Sequence, residues 1–270
     1  MDPPRLASYR VGMTSPVRRT ALIFGLALVL LVILASAATA VGFITRTRAE
    51  QHHAYDLPGS RLVLDANNGS IHIAPGQPGR VEVDAHLHYS QLSPAKPTAR
   101  LEGDRLILRD GCRNFINFIC DVTYDLRVPA TLALRADSGN GDLRVSGITG
   151  ELDLRTSNGA ISSDGVPAQL RLQTGNGAIT ATGLHASVVD ARTSNGTVQL
   201  SFLQAPRQVT ARSSNGDISI AVPPQGGPWR VEAETSNGKR TIDIPTDPAA
   251  SNTITARTSN GDITLSRAAS

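Results

Sequence analysis

The sequence predicts an all-β protein: a parallel β-solenoid of short two-strand repeats with an N-terminal capping β-sheet, preceded by one transmembrane helix. Three observations carry this expectation. An Asn-Gly pair recurs along the chain, apolar and polar residues alternate on both sides of each pair, and one long apolar run without charge lies near the N-terminus.

Residues 1–20 read as a basic cytoplasmic tail containing Arg5, Arg10, Arg18 and Arg19. Residues 21–45, ALIFGLALVLLVILASAATAVGFIT, suffice at ~1.5 Å per residue to cross a ~30 Å hydrocarbon core, so they read as a single membrane anchor. A cleaved signal peptide is the alternative, with ASA and ATA between Ala35 and Ala40 as cleavage sites. The apolar run continues through Phe43 and Ile44, which favours the anchor. Four arginines precede the run, against Arg46 and Arg48 just after it, and this bias predicts a cytoplasmic N-terminus with the C-terminal part extracellular. Residues 46–57 read as a polar tether.

Residues 58–130 read as a capping β region. They hold the first Asn-Gly unit and then the alternating runs RVEVDAHLHYS, ARLEGDRLILRD and VTYDLRVP, with a Pro-rich LSPAKPTA loop between the first two. Cys112 and Cys120 stand alone in DGCRNFINFICD; in an exported chain this pair predicts a disulfide stapling a short loop. A redox pair would call for CxxC spacing, which is missing.

Residues 131–267 read as the solenoid proper. The turns fall at Asn68-Gly69, Asn140-Gly141, Asn158-Gly159, Asn176-Gly177, Asn195-Gly196, Asn215-Gly216, Asn237-Gly238 and Asn260-Gly261. After a first gap of 72, successive Asn residues are 18 to 23 apart, a period that points to stacked units burying one another's apolar faces. Leu, Val or Ile stands six residues before each Asn, and Leu or Ala four before it. Apolar residues recur three and five after it in most units. Thr or Ser two before the Asn, as at Thr156, Thr174, Thr193, Ser213, Thr235 and Thr258, can bond between rungs. Asn-Gly is also a two-residue hairpin signal, so antiparallel hairpins compete with stacked rungs. The persistence of identical columns favours rungs. One unit departs: GKRTIDI after Asn237 shifts the inward role to Ile242 and Ile244, which predicts a local bulge.

Tyr124 to Pro129, YDLRVP, followed by TLALRADSGNGDLRVSGITGELDLRTSNG, resembles the bacterial putative-adhesin repeat domain of unknown function, an all-β module with a Gly-Asp motif roughly every twenty residues. The resemblance covers about residues 58–267. Gly-Asp stands at Gly141-Asp142, Gly216-Asp217 and Gly261-Asp262, whereas Ser70, Ala160, Ala178, Thr197 and Lys239 follow the other glycines. The resemblance implies a cell-envelope protein engaged in adhesion or acting near envelope-stress regulators.

Charge and chemistry narrow the function. The net charge is +3, but residues 1–48 contribute six Arg and one Asp, which leaves −2 for residues 49–270 and no basic excess for nucleic acid. Arg135, Asp153, Arg171 and Asp190, five residues before successive Asn residues, alternate in sign and predict a salt ladder across rungs. Three residues before the Asn, Arg155, Arg192, Arg212 and Arg257 form a stripe interrupted by Gln173 and Glu234, a candidate ligand face for cell-wall polymer, lipid headgroups or an envelope protein. His72, His86 and His88 could neighbour one another, yet they lack carboxylate or Cys partners at zinc spacing, and no metal or cofactor is expected. No paired catalytic set is apparent. The sequence therefore predicts a non-enzymatic, membrane-anchored adhesin or envelope-interaction protein. A signalling accessory is the alternative, and a polysaccharide-active enzyme the third reading.

Overall fold

The computed structural model describes residues 15–44, 46–90, 96–111 and 120–268. The chain divides into two compact units, one carrying a helix and the other built almost entirely of strands from Thr47 onward. In the first, α1 (Ser15–Ile44) is a 30-residue helix. Its side chains are described for Thr20 and from Leu22 to Ser36, and the apolar ones are exposed. Among the described residues no helix is long and apolar enough to cross a membrane.

The second unit begins with β1 (Arg46–Asp56), β2 (Arg61–Asn68), β3 (Ser70–Pro75), β4 (Arg80–Ser90), β5 (Thr98–Glu102), β6 (Arg105–Arg109) and β7 (Cys120–Val128). Each later Asn-Gly then joins two strands. These pairs are β8 (Ala133–Asn140) with β9 (Leu143–Ser146), β10 (Leu152–Asn158) with β11 (Ile161–Asp164), and β12 (Gln169–Asn176) with β13 (Ile179–Leu184). They continue with β14 (Val188–Asn195) and β15 (Val198–Phe202), β16 (Gln208–Arg212) and β17 (Ile218–Val222), β18 (Arg230–Asn237) and β19 (Arg240–Ile242), and β20 (Thr253–Asn260) and β21 (Ile263–Arg267). The eight strands before an Asn, together with β5 and β6, form a 10-stranded sheet, and the eight after it, together with β1, β4 and β7, form an 11-stranded sheet. The core lies between them.

Rungs, not hairpins, are what Asn-Gly builds here. A type I′ hairpin needs φ > 0 at both central residues. Among the described residues only glycines have positive φ, so each Asn stays extended and the chain turns out of one sheet into the other. Like strands then stack in parallel register, with Leu152 beside Leu134 and Leu170, and Leu172 beside Ala191. The column six before the Asn is buried at Leu62, Leu134, Leu152, Leu170, Val189, Val209 and Ile254 and half-buried at Val231, and apolar side chains three and five after the Asn close the core from the other sheet.

Two polar ladders lock the corner. Each Asn side chain donates Nδ2–H to the Oδ1 of the Asn one rung nearer the N-terminal cap, over 2.7–2.9 Å. At the cap end Asn68 donates instead to the buried carboxylate of Asp110 at 2.8 Å, and Asn67 does so at 3.1 Å. Aligned amides polarise one another, and an anionic terminal acceptor strengthens the chain of bonds. Inside the corner, the hydroxyls of Thr156, Thr174, Thr193, Ser213, Thr258 and Thr235 donate to a glycine carbonyl of the neighbouring rung. Where Asp follows the Gly, its carboxylate accepts a backbone N–H one rung away: Asp142 from Ala160, Asp217 from Asp262, and Asp262 from Lys239. These aspartates hold turns.

Both ends of the solenoid depart from simple serial stacking. The 72-residue gap leaves no gap in space, since β2 pairs with β8 and β3 with β9. The intervening strands lie beyond that first rung. β7 pairs with β3 in parallel and β4 with β7 antiparallel, while β6 pairs with β2 in parallel and β5 with β6 antiparallel. The 46–57 segment, expected as a tether, is mostly edge strand β1 beside β4. Gln51, His53 and Tyr55 are half-buried while His52, Ala54 and Asp56 are exposed, an alternation that gives one face to the sheet.

At the far end the last two units exchange places. β20 pairs with β16 and β21 with β17, and the earlier β18 and β19 stack outside them. The expected bulge at GKRTIDI is not formed: Arg240 and Ile242 keep register with Ile263 and Leu265. Arg240 and Ile242 are tolerated there because this is the terminal rung, where Ile242 is 44% exposed and, within GKRTIDI, only Ile244 is buried. Short, charged edge strands of this kind discourage edge-to-edge pairing. The expected Cys112–Cys120 disulfide lies outside the described residues, Cys120 being described only as the first residue of β7.

Candidate functional site

Alternation in a strand sends every second side chain outward, so the columns three and five residues before each Asn share the outer face of the 10-stranded sheet. Read across that face, the column three before the Asn runs Asp65, Asp137, Arg155, Gln173, Arg192, Arg212, Arg257, Glu234. The rung exchange produces this order. In the chain Glu234 separates Arg212 from Arg257; in the fold Arg257 stands next to Arg212, and Glu234 is moved to the margin.

The acids sort these arginines. Arg155 is held by Asp153 at 2.8 Å, with Asp137 at 4.0 Å, and Gln173 separates it from the three arginines that stand side by side. Arg192 pairs with Asp190 at 2.9 Å. Arg257 pairs with Glu234 at 3.2 Å and Glu232 at 3.5 Å, both in the end rung. Arg212 is exposed, and among the described residues it has no ion-pair or hydrogen-bond partner. Its own rung offers Thr210 where Arg192's rung offers Asp190. The expected ladder of charges across rungs forms only in part: Arg171 reaches Asp190 at 3.7 Å, whereas Arg135–Asp137, Arg155–Asp153 and Arg192–Asp190 pair along one strand.

Arg192, Arg212 and Arg257 line a shallow groove of about 380 Å³ together with Ser194, Ser214 and Ser259. No carboxylate lines it. The three serines lie two residues after the arginines, hence on the same face, and all are exposed. Three guanidinium and three hydroxyl groups thus repeat at the rung spacing of ~4.8 Å.

At the cap end of that sheet, Asp65 is bound by Arg105 and by Arg109 at 3.2 Å, and the Arg105 hydrogen bond holds its carboxyl below the usual carboxylate range. Burial pushes the Tyr124 hydroxyl up, with the charge of Asp110 adding to the effect. Both are structural features of the cap.

The outer face of the 11-stranded sheet carries a second, larger groove of about 720 Å³. Asp125 bridges two histidines there, His72 at 3.0 Å and His86 at 3.1 Å; Glu50 lies 3.6 Å from His86, and Arg144 donates to His72 at 3.3 Å. His52 pairs with Asp84 at 2.6 Å. Sequence reasoning placed His72 near His86 but missed Asp125, which arrives from β7 only because β3 and β4 flank that strand. Carboxylates face Nδ1 of His72 and both ring nitrogens of His86, while Arg144 faces Nε2 of His72; among the described residues no group of three or more His, Cys, Asp or Glu is placed to hold a metal ion.

A model of the family described as Toastrack DUF4097 matches residues 121–266. No curated protein matches the sequence. Among solved structures, the chain is similar to a putative cell adhesion protein from Clostridium sporogenes at 12% identity and a TM-score of 0.39, covering 82% of this chain and 100% of that one. It is also similar to a putative adhesin from Parabacteroides merdae at 10% identity and a TM-score of 0.44, covering 83% and 97%. A putative lipid binding protein from Parabacteroides distasonis gives 9% identity and a TM-score of 0.38, covering 82% and 97%.

Proposed function

This chain belongs to the Toastrack DUF4097 family, and from that premise we propose that it is a non-enzymatic, membrane-anchored interaction module whose strand-built unit meets a cell-envelope partner outside the cell membrane. The single observation that supports this reading most is the contiguous Arg192, Arg212 and Arg257 on the outer face of the 10-stranded sheet. An unpaired cation between two others is a local cost to folding that a bound partner relieves. The groove's lining supplies guanidinium and hydroxyl donors and no carboxylate or imidazole, a donor set suited to holding an anion, which supports the reading of a binding face. Anchoring rests on the uncharged run Ala21 to Thr45 and the arginines ahead of it.

The test uses the full-length chain, immobilised in neutral-detergent micelles and probed with isolated cell-wall material. Binding is expected, and an Arg192→Glu/Arg212→Glu double variant should lose it. Arg267→Glu, which makes the same kind of charge change on the other sheet, should retain it. Equal retention by all three proteins would contradict the reading.

A further inference from the structure

We propose that the groove across β14, β16 and β20 binds a linear polyanion lying along the solenoid axis, with one oxyanion per rung, each held by one arginine and one serine. This rests on the reading of the same face given above and adds the chemical class of its ligand. Three features select that class.

The first is periodicity. Arg192, Arg212 and Arg257 are in direct strand register, so their positions repeat at ~4.8 Å along a line perpendicular to the strands. A single small anion reaches one or two of these groups. A chain with one charged group per sugar or phosphodiester unit reaches all three, and the second and third contacts form at the high effective concentration set by the first.

The second is the donor set. Each arginine shares its rung and face with a serine, as in Arg192-Thr193-Ser194, Arg212-Ser213-Ser214 and Arg257-Thr258-Ser259. The middle residue is buried and bonds a glycine carbonyl of the neighbouring rung, which fixes the strand and aims the residues on either side outward. Among the described residues the three serine hydroxyls have no hydrogen-bond partner. Guanidinium and hydroxyl on one rung offer several N–H donors and one O–H to a carboxylate or phosphate oxygen.

The third is the unrelieved charge. Arg212 lies between two arginines, and the acids that serve those neighbours, Asp190 and the Glu232 and Glu234 pair, sit at the margins of the groove. Like charges at rung spacing repel even in water, so Arg212 gains most when an anion arrives. It is the group on which affinity should depend most steeply.

The two sources of such chemistry, polymers of carboxylates and polymers of phosphates, are separated by the probes. Full-length protein in neutral-detergent micelles is titrated with fluorescent oligogalacturonate and with inorganic polyphosphate, using galacturonic acid, inorganic phosphate and neutral dextran as controls. At least one polyanion should bind, with affinity that falls as salt rises, while the monomers and dextran compete only at far higher concentration. Arg212→Gln should weaken binding by about tenfold or more, the loss of a charge-assisted contact. Arg267→Gln should change it less than twofold. Arg212 is exposed and unpaired between two arginines, so the variant should melt at or slightly above the wild-type temperature, which separates lost binding from lost folding.

Equal effects of Arg212→Gln and Arg267→Gln, monomers competing as well as polymers, or binding of anionic vesicles without either polymer would each overturn the proposal. If wall material is captured through Arg212 while neither polymer binds, the polyanion inference falls and the functional reading stands. If capture is indifferent to Arg212, the reading itself falls.

Discussion

Gly177→Ala should destabilise the strand-built unit by about 3 kcal/mol or more, seen as a lower denaturant midpoint with an unchanged transition slope. Gly177 has φ +154°, in the region that favours glycine, and an alanine Cβ would lie 2.0 Å from the carbonyl oxygen of Gly159 in the neighbouring rung. That oxygen cannot give way. It accepts the hydroxyl hydrogen bond of Thr174, and the Asn158, Asn176 and Asn195 side chains clamp the same corner. Relieving the clash means parting two rungs in mid-solenoid, which breaks both ladders at once. Ordinary glycine-to-alanine changes at compatible sites stabilise by ~0.4–1 kcal/mol, so even the sign of the effect tests the corner geometry. A midpoint equal to or above that of the parent protein would show that the rungs do not approach this closely.

The second large effect is expected at the other end of the molecule. Trp229 is 1% exposed and belongs to the bulkiest fully buried side chains. It stands just before β18, and its backbone ties the 223–252 excursion together, its N–H donating to Pro245 and its carbonyl accepting from Asp247. Gly227 packs directly on the ring, since a Cβ there would lie 2.4 Å from it. Trp229→Ala should cost about 3–5 kcal/mol, the range for emptying a large aromatic site. Because β18 and β19 form the terminal rung, the loss should appear first as local opening. Amide hydrogens of β18 and β19 should exchange much faster while those of β10 to β15 remain protected; uniform acceleration across all rungs would contradict a separately stacked end.

Much of the solenoid can be read in the chain because its physics is local and repeated. Asn-Gly marks the corner and Thr or Ser marks the inner hydroxyl ladder; the inward columns follow from period-2 alternation. The antiparallel alternative stayed open only because Asn-Gly serves both turns, and the backbone angle of Asn, which the sequence does not reveal, separates them. Strand β1 is not legible in the sequence, because AEQHHAYD alternates half-buried and exposed side chains that are mostly polar, a pattern that a tether also allows.

The site was half legible. Arg192, Arg212 and Arg257 share a column in any alignment of the repeats, but their adjacency depends on which rung lies next to which. Nothing in a serial reading of the repeats orders the last unit ahead of the one before it. The signal in the sequence is GKRTIDI: Arg240 in a column that is otherwise Leu, Ile or Val cannot sit between two rungs, and the end of the stack is where its charge reaches water. Arg155 shares the column of the stripe, and the pairing with Asp153 that removes it is a side-chain event within one strand. Asp110 as terminus of the Asn ladder was equally hidden, since it lies 42 residues from Asn68.

The exchange of the last two rungs is the claim on which the continuous arginine face depends. Methyl cross-relaxation in the full-length protein tests it most directly. Contacts are expected between Val209 and Ile254 and between Ile254 and Val231, whose residues are register neighbours. None is expected between Val209 and Val231, two rungs or ~9.6 Å apart. A strong Val209–Val231 contact with no Val209–Ile254 contact would restore serial stacking, return Glu234 to its place beside Arg212, and remove the groove.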